Sequence, residues 1–247
     1  MKKILLILLI FIFPVCGNAL EDDDFQIWTE AIVTKQIGKK WKASLSEELR
    51  FKDDADRFYY AHTEINFRHR AFSNLFYLDK IKSKRWLEYR LLYLSAGYKH
   101  ISEEQLDVWR KEKRPYVDLD FRWRFNRILK KILFSNRARL GYRDREELDS
   151  NWRFRNKLRA TFPWRWTKWE LRPYVEGEWF FDFEDIEERL STIVGEDNVA
   201  RTRLYAGMDM KFREGFRGTL YLMEQRTETS DDFRDIHVLG LKFKFAF

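Results

Sequence analysis

Cysteine is almost missing: the only one in 247 residues is Cys16. It lies in an N-terminal segment built like a secretory signal, with Lys2 and Lys3 ahead of an apolar run from Ile4 to Phe13, then Pro14 and the small triplet Gly17-Asn18-Ala19. The expected division is therefore a signal peptide over 1–19 and one domain over 20–247, and the mature chain has no cysteine. That excludes disulfides, thiolate zinc sites, iron–sulfur clusters and a cysteine nucleophile. A lipoprotein is the alternative use of Cys16, but Phe13-Pro14-Val15 lacks the small residue that lipid attachment needs just before the cysteine. No glycine-rich phosphate loop is present, and the four histidines have no metal-ligand spacing, so the sequence calls for no cofactor and no metal. The leader's apolar run is too short for a helix to cross a bilayer.

What is there in quantity is aromatic and charged, at 17% and 35% of the chain. A negative mean hydropathy rules out a helical membrane protein but not a barrel, because residues facing lipid and lumen alternate and average out. The formal charge of +7 falls to +5 once Lys2 and Lys3 are removed. Such a balance raises nucleic acid as a partner, but the basic residues alternate with apolar ones inside strands, and export separates the chain from nucleic acid.

The last stretch is the most informative. From Asp235, Leu239, Leu241, Phe243, Phe245 and Phe247 take every second position, with Val238, Gly240, Lys242, Lys244 and Ala246 between them. A period of two makes a strand with two unlike faces. The strand resembles the closing strand of bacterial outer-membrane β-barrels, whose terminal aromatic is read by the barrel assembly machinery. Phe243, Phe245 and Phe247 would be that signal here, although the usual glycine falls at Lys242 and this chain has Gly240.

Ten further segments carry the alternation: 25–37, 41–51, 58–69, 85–101, 114–125, 134–143, 152–162, 171–181, 200–212 and 218–228. In the first three, Phe25, Ile27, Ala31 and Val33, then Trp41, Ala43, Leu45, Leu49 and Phe51, then Tyr59, Ala61, Ile65 and Phe67 are assigned outwards. Glu47 interrupts the second set, and a bulge near the strand end is expected to account for it. The connections alternate as well. Asp53-Asp54-Ala55-Asp56, Glu103-Glu104, 144–149, 182–188 and Asp231-Asp232 are acidic, whereas Lys39-Lys40, 80–85, 127–131, 165–168 and 211–217 are basic. One acidic and one basic rim of an up-and-down meander produce this pattern. With Phe247 in the periplasm, the acidic rim is the outer one.

The fold class expected is all-β, a transmembrane up-and-down antiparallel β-barrel. Bacterial barrels have even strand numbers, so twelve strands are expected, with Arg70 to Leu78 supplying the twelfth. Ten is the alternative, with 25–37 outside the barrel. Several phrases, among them Trp28-Thr29-Glu30, Ser46-Glu47-Glu48-Leu49-Arg50-Phe51, Asn136-Arg137-Ala138-Arg139 and Arg203-Leu204-Tyr205-Ala206-Gly207, resemble an uncharacterised outer-membrane barrel family catalogued as domain of unknown function 2490. The resemblance implies fold and outer-membrane location, and no activity.

The inward faces form a charge ladder. Arg122, Arg124, Arg137, Arg139, Arg143, Arg153, Arg155, Lys157, Arg159, Arg172, Arg201 and Arg203 stand against Asp118, Asp120, Glu176, Glu178 and Asp209. One reading is a plugged lumen, in which guanidinium forks bridge carboxylates and give the envelope a structural element. The other is passage or binding of a small anionic solute, since unbalanced positive charge in a narrow tube attracts anions. Asp53, Asp54 and Asp56 carry hard oxygen ligands, but without the glycine turn and closing glutamate of a calcium loop.

A rim hydrolase acting on lipid is the rival. It would rest on His237 beside Asp235, or on His100 near Glu103 and Glu104, with no serine suitably placed. The partners expected are outer-membrane lipid and lipopolysaccharide. Asn136 and Asn156 fall on outward positions of neighbouring strands, and a hairpin turning near Glu146 would put them directly opposite with their amides hydrogen-bonded.

Overall fold

Among the described residues, alternation of apolar and polar residues is realised as eleven strands: β1 (Asp24–Ile37), β2 (Trp41–Lys52), β3 (Arg57–Phe72), β4 (Leu87–Gln105), β5 (Val108–Phe125), β6 (Leu133–Arg145), β7 (Asn151–Thr161), β8 (Arg172–Phe183), β9 (Arg201–Arg213), β10 (Phe216–Glu228) and β11 (Phe233–Ala246). The computed structural model describes residues 24–72, 87–105, 107–125, 132–146, 148–164, 167–183, 201–228 and 233–247. The expected signal peptide, with Cys16, lies outside the described residues, as do the connections at 80–85, 127–131, 184–188 and Asp231-Asp232.

Each strand pairs antiparallel with its neighbour in sequence, and the ring closes where β1 meets β11. Eleven strands replace the expected twelve, and the alternative of ten fails as well. Of the expected twelfth strand, Arg70–Phe72 belongs to β3 and 73–78 lie outside the described residues; β3 pairs directly with β4, and β1 is a full member of the ring. The physical consequence is at the seam. An odd meander brings its first and last strands together pointing the same way, so they must pair in parallel. They do so over a continuous ladder from Asp24↔Ile236 to Thr34↔Ala246. The chain end completes it, since the Phe247 amide donates to the Thr34 carbonyl at 3.0 Å and the Gln36 amide to the Phe247 carbonyl at 3.2 Å. The two ends of the described chain, Asp24 and Phe247, therefore lie at opposite rims.

Polarity is inverted relative to a water-soluble domain. Leu204 is 60% exposed, Val117 57% and Phe67 52%, whereas Glu178 is 0% exposed and Asp120 2%. Aromatic groups collect towards both ends of the outer face. Phe51, Phe58 and Trp109 pack together on the acidic side, with Tyr142 against Trp152. On the basic side Phe121, Trp123 and Phe134 stack, and Phe212, Phe216 and Phe245 form a second group. The segment from Trp41 to Phe51 spans roughly 33 Å along β2, or about 25 Å along the axis at a tilt of about 40°.

Two local assignments are corrected. The irregularity in β2 lies between Arg50 and Phe51, near the strand end as expected, but it does not account for Glu47. Glu47 keeps the outward parity, where its carboxylate accepts from the Thr63 hydroxyl at 2.7 Å. The irregularity shifts the facing of β3, so Phe58 is exposed while Tyr59, assigned outwards, is buried with its hydroxyl donating to Gln26 at 2.7 Å.

The asparagine pair forms, with Asn136 Nδ2 donating to Asn156 Oδ1 at 2.9 Å. It does so diagonally: Asn136 faces Leu158 and Asn156 faces Ala138, because the β6–β7 hairpin turns one residue later than expected.

Inside the ring, three tyrosines lie over neighbouring glycines. Tyr116 faces both Gly97 and Gly141, Tyr221 faces Gly207 and Gly240, and Tyr174 faces Gly207. A Cβ at Gly240 would overlap the Tyr221 ring, and one at Gly97 the Tyr116 ring. The glycines thus leave the wall open to rings that fill the lumen. Trp28, Tyr174, Tyr221, Met223, Ile236 and Val238 form an apolar cluster within it.

Candidate functional site

Carboxylates organise the lumen, and each collects cations from adjacent strands or, as Asp120, Glu64, Asp182 and Asp209 do, from a strand beyond its neighbours. Asp118 of β5 receives both a 2.7 Å bond from Arg139 Nε and a 3.0 Å bond from its Nη2. The same guanidinium lies 3.5 Å from Glu64 and stacks at 3.6 Å over Tyr116. Glu64 also holds Lys99 at 3.0 Å and accepts from the Tyr116 hydroxyl. Asp120 is shared by Arg122 at 3.0 Å, Arg68 at 3.1 Å and Arg137 at 3.7 Å.

Glu178 is the most enclosed group. Its carboxylate accepts from Arg155 and from the Tyr205 hydroxyl at 2.8 Å, with Lys157 at 3.7 Å and Arg203 at 3.6 Å. Glu176 pairs with Lys157 at 2.7 Å and Arg159 at 3.8 Å, and Arg159 continues to Asp209 at 2.6 Å. Near the acidic rim, Arg143 makes a two-pronged contact with Glu112 and reaches Asp182 at 3.4 Å, where Arg153 also binds.

The ladder read from the sequence is therefore brought together, with three exceptions. Arg172 pairs with Glu170 outside the predicted set. Arg201 meets the face of Phe180 at 6.0 Å, its Nε without a hydrogen-bond partner. Arg124 Nε has none either.

Sequence reasoning omitted from the ladder Glu48, Glu64, Lys99, Glu112 and Asp182, together with Arg50, which lies 3.6 Å over Trp28 and 2.6 Å from Glu48. All of these keep the inward parity of their strands, which is the signal that finds them. Tyr116 and Tyr205, whose hydroxyls complete the shells of Glu64 and Glu178, share the inward parity of Asp118 and Arg203, but their ring chemistry does not mark them as part of a charge ladder.

The residues named for other chemistry are placed as follows. His237 shares the outward parity of Leu239 and faces Glu224 and Phe25 across the ladders. Asp235 is engaged in a two-pronged pair with Arg226 at 2.9 and 3.0 Å. His100 lies outward, facing Thr63 and Lys113. Among the described residues no group of three or more His, Cys, Asp or Glu side chains is arranged to hold a metal ion.

Phe243 and Phe245 are in place on the outer face, where Phe245 stacks on Phe216 at 4.8 Å and Phe243 approaches it at 6.3 Å. Phe247 is 74% exposed.

Residues 25–236 match the sequence profile of a family described as a protein of unknown function (DUF2490). No curated protein matches the chain.

Proposed function

The chain belongs to the DUF2490 family, and from its geometry we propose that it is an outer-membrane β-barrel with a closed, ion-paired lumen and a structural role in the envelope. The observation that carries this reading is the inversion of polarity: large apolar side chains at half exposure outside, carboxylates at or near zero exposure inside. An exterior of that kind is unstable in water and suited to acyl chains. The aromatic groups at its two ends, about 25 Å apart, match the interfacial girdles of such barrels. The basic rim, where Phe247 ends, would face the periplasm, with Phe243, Phe245 and Phe247 presented to the assembly machinery. The acidic rim would meet lipopolysaccharide.

Closure of the lumen is the reading favoured over free permeation, because the inward carboxylates are each held by one to three cations and the tyrosines fill the space between. The test is reconstitution of the mature chain in planar bilayers. Silent membranes, with protein that needs detergent to stay in solution, are the expected result. A steady conductance with anion preference would overturn closure, and solubility without detergent would overturn the membrane assignment.

A further inference from the structure

Charge balance is uneven along the barrel axis. In the middle each inward carboxylate has its cations, but at the basic-rim mouth six cations, Lys42, Arg68, Arg122, Arg137, Arg217 and Lys244, stand against Asp120, which engages three of them, and the Phe247 carboxyl group, which is bonded to the Gln36 amide. Lys42 faces Arg68 across the β2–β3 ladder and Lys244 faces Arg217 across β10–β11, so like charges stand directly opposite. Asp120 engages only Arg68, Arg122 and Arg137. Among the described residues no carboxylate lies within ion-pair distance of Lys42, Arg217 or Lys244. The charge on Lys244 is repelled by those of Arg68, Lys42, Arg122 and Arg217, which places the five in one electrostatic neighbourhood.

Between Lys42 on β2 and Lys244 on β11 runs β1, and there Thr34 is 7% exposed with Oγ1 lacking any hydrogen-bond partner. Thr34 faces Ser44 on one side and Ala246 on the other, one inward position from each lysine. A buried unpaired hydroxyl beside unpaired cations is costly unless an acceptor fills the gap.

We propose that this mouth binds a small polyanion, a solute carrying two or more phosphate or carboxylate groups. Lys42, Arg217 and Lys244 supply the charge, and Thr34 donates a hydrogen bond. Two carboxylates, Asp120 and that of Phe247, against six cations leave an excess of four positive charges, which selects a multiply charged ligand over a single halide or acetate. The side chains point into the ring, so the ligand enters from the mouth and not from the bilayer. The inference rests on the proposed outer-membrane reading only for the compartment that the mouth faces.

The test is calorimetric titration of the purified full-length mature barrel with tripolyphosphate, with citrate as a second probe and sucrose as an uncharged control. Saturable binding is expected, weakened at higher salt and weakened about thirtyfold in Lys42→Gln/Lys244→Gln, which removes two charge-assisted contacts. That variant should melt no lower than the parent in anion-free buffer, because it removes repulsion. Arg217→Gln gives a second reading from the opposite side of the mouth, and Arg226→Gln, at the other rim, should bind as the parent does.

No saturable heat, equal affinity in the parent and both mouth variants, or equal loss in Arg226→Gln would each overturn the site. Titration in zwitterionic and in anionic phospholipid discs separates the sources of phosphate. Equal affinity identifies a soluble ligand, and loss of affinity in the anionic discs would mean that headgroups occupy the mouth, which overturns the solute. Binding by a barrel that conducts would overturn the closed lumen and leave the site standing, so the two failures are distinguishable.

Discussion

Replacing Glu178 by glutamine removes one charge from the most enclosed position in the barrel while keeping its size. The consequences divide among its three cations. Lys157 retains Glu176 at 2.7 Å, and Arg203 retains the Gln225 side-chain oxygen at 2.7 Å. Arg155 loses its only carboxylate among the described residues and is left as a buried cation with Phe180 at 5.3 Å. Breaking a buried pair by removing one partner costs about 3–5 kcal/mol, and because one cation is stranded and not three, the lower end applies, about 3 kcal/mol. Arg155→Gln alone leaves Glu178 with Lys157, Arg203 and Tyr205, so it should cost only about 1–2 kcal/mol. The double variant strands nothing, and it should cost less than the sum of the singles by about 1–2 kcal/mol. Urea unfolding of the barrel in phospholipid, followed by the fluorescence of its ten tryptophans, gives all four values. A Glu178→Gln loss below about 1 kcal/mol, or strict additivity with Arg155→Gln, would refute the argument that paired charge inside the ring holds the fold together.

At Gly240, valine should destabilise by about 1–3 kcal/mol in the same assay by displacing the Tyr221 ring, and adding Tyr221→Ala should recover part of that loss. Asn136→Leu or Asn156→Leu alone should cost about 1–3 kcal/mol by orphaning an amide on the outer face, whereas the double substitution should be close to neutral. For the proposed outer-membrane barrel with an odd number of strands, an epitope placed just before Asp24 should be accessible on intact cells and one at the carboxyl end should not, and accessibility of both from one side would contradict the parallel seam. In the β4–β5 turn, hydrogen bonding from Arg57 holds the Asp107 carboxyl below its ordinary value. Its small contribution to stability is therefore present above the ordinary aspartate range and lost as pH falls through the depressed value, which carbon NMR titration against Asp107→Asn would detect as a missing low-pH step.

The strand pattern was legible because one face of nearly every strand is apolar and the other charged, as in Val117, Leu119 and Phe121 against Asp118, Asp120 and Arg122. The closing strand was equally plain. Strand number was not, since evenness is a property of other barrels and nothing in β1 or β11 states whether they meet parallel or antiparallel. Where both faces carry large groups, parity fails. Tyr59 resembles its outward neighbours in character, yet the irregularity between Arg50 and Phe51 turns it inwards. The asparagine hairpin shows the same limit on a smaller scale, because the residue types announce the pair while the turn decides the diagonal. In the ladder, the composition of each rung could be read, but the choice of partner could not. That choice depends on which side chains reach across the ring, as Arg68 does to Asp120 and Arg139 to Glu64.

That reach explains how a ring of this size is filled at all. Eight strands leave room for ordinary side chains, and sixteen leave a channel. Eleven require something longer, and arginine, lysine and tyrosine are the longest polar side chains available. Their span lets pairs skip strands: Arg143 of β6 meets Asp182 of β8, Arg159 of β7 meets Asp209 of β9, and Tyr116 of β5 meets Glu64 of β3. Contacts of this kind do what ladder hydrogen bonds cannot, because they resist flattening of the ring as well as sliding of adjacent strands. Glycines opposite Tyr116 and Tyr221 serve the same end from the wall side by letting the rings lie close to the backbone. The surplus of cations at one mouth then follows from where the cross-ring carboxylates stop. Beyond Asp120 the inward positions of β2, β10 and β11 continue with Lys42, Arg217 and Lys244, which face cations across their ladders and not carboxylates.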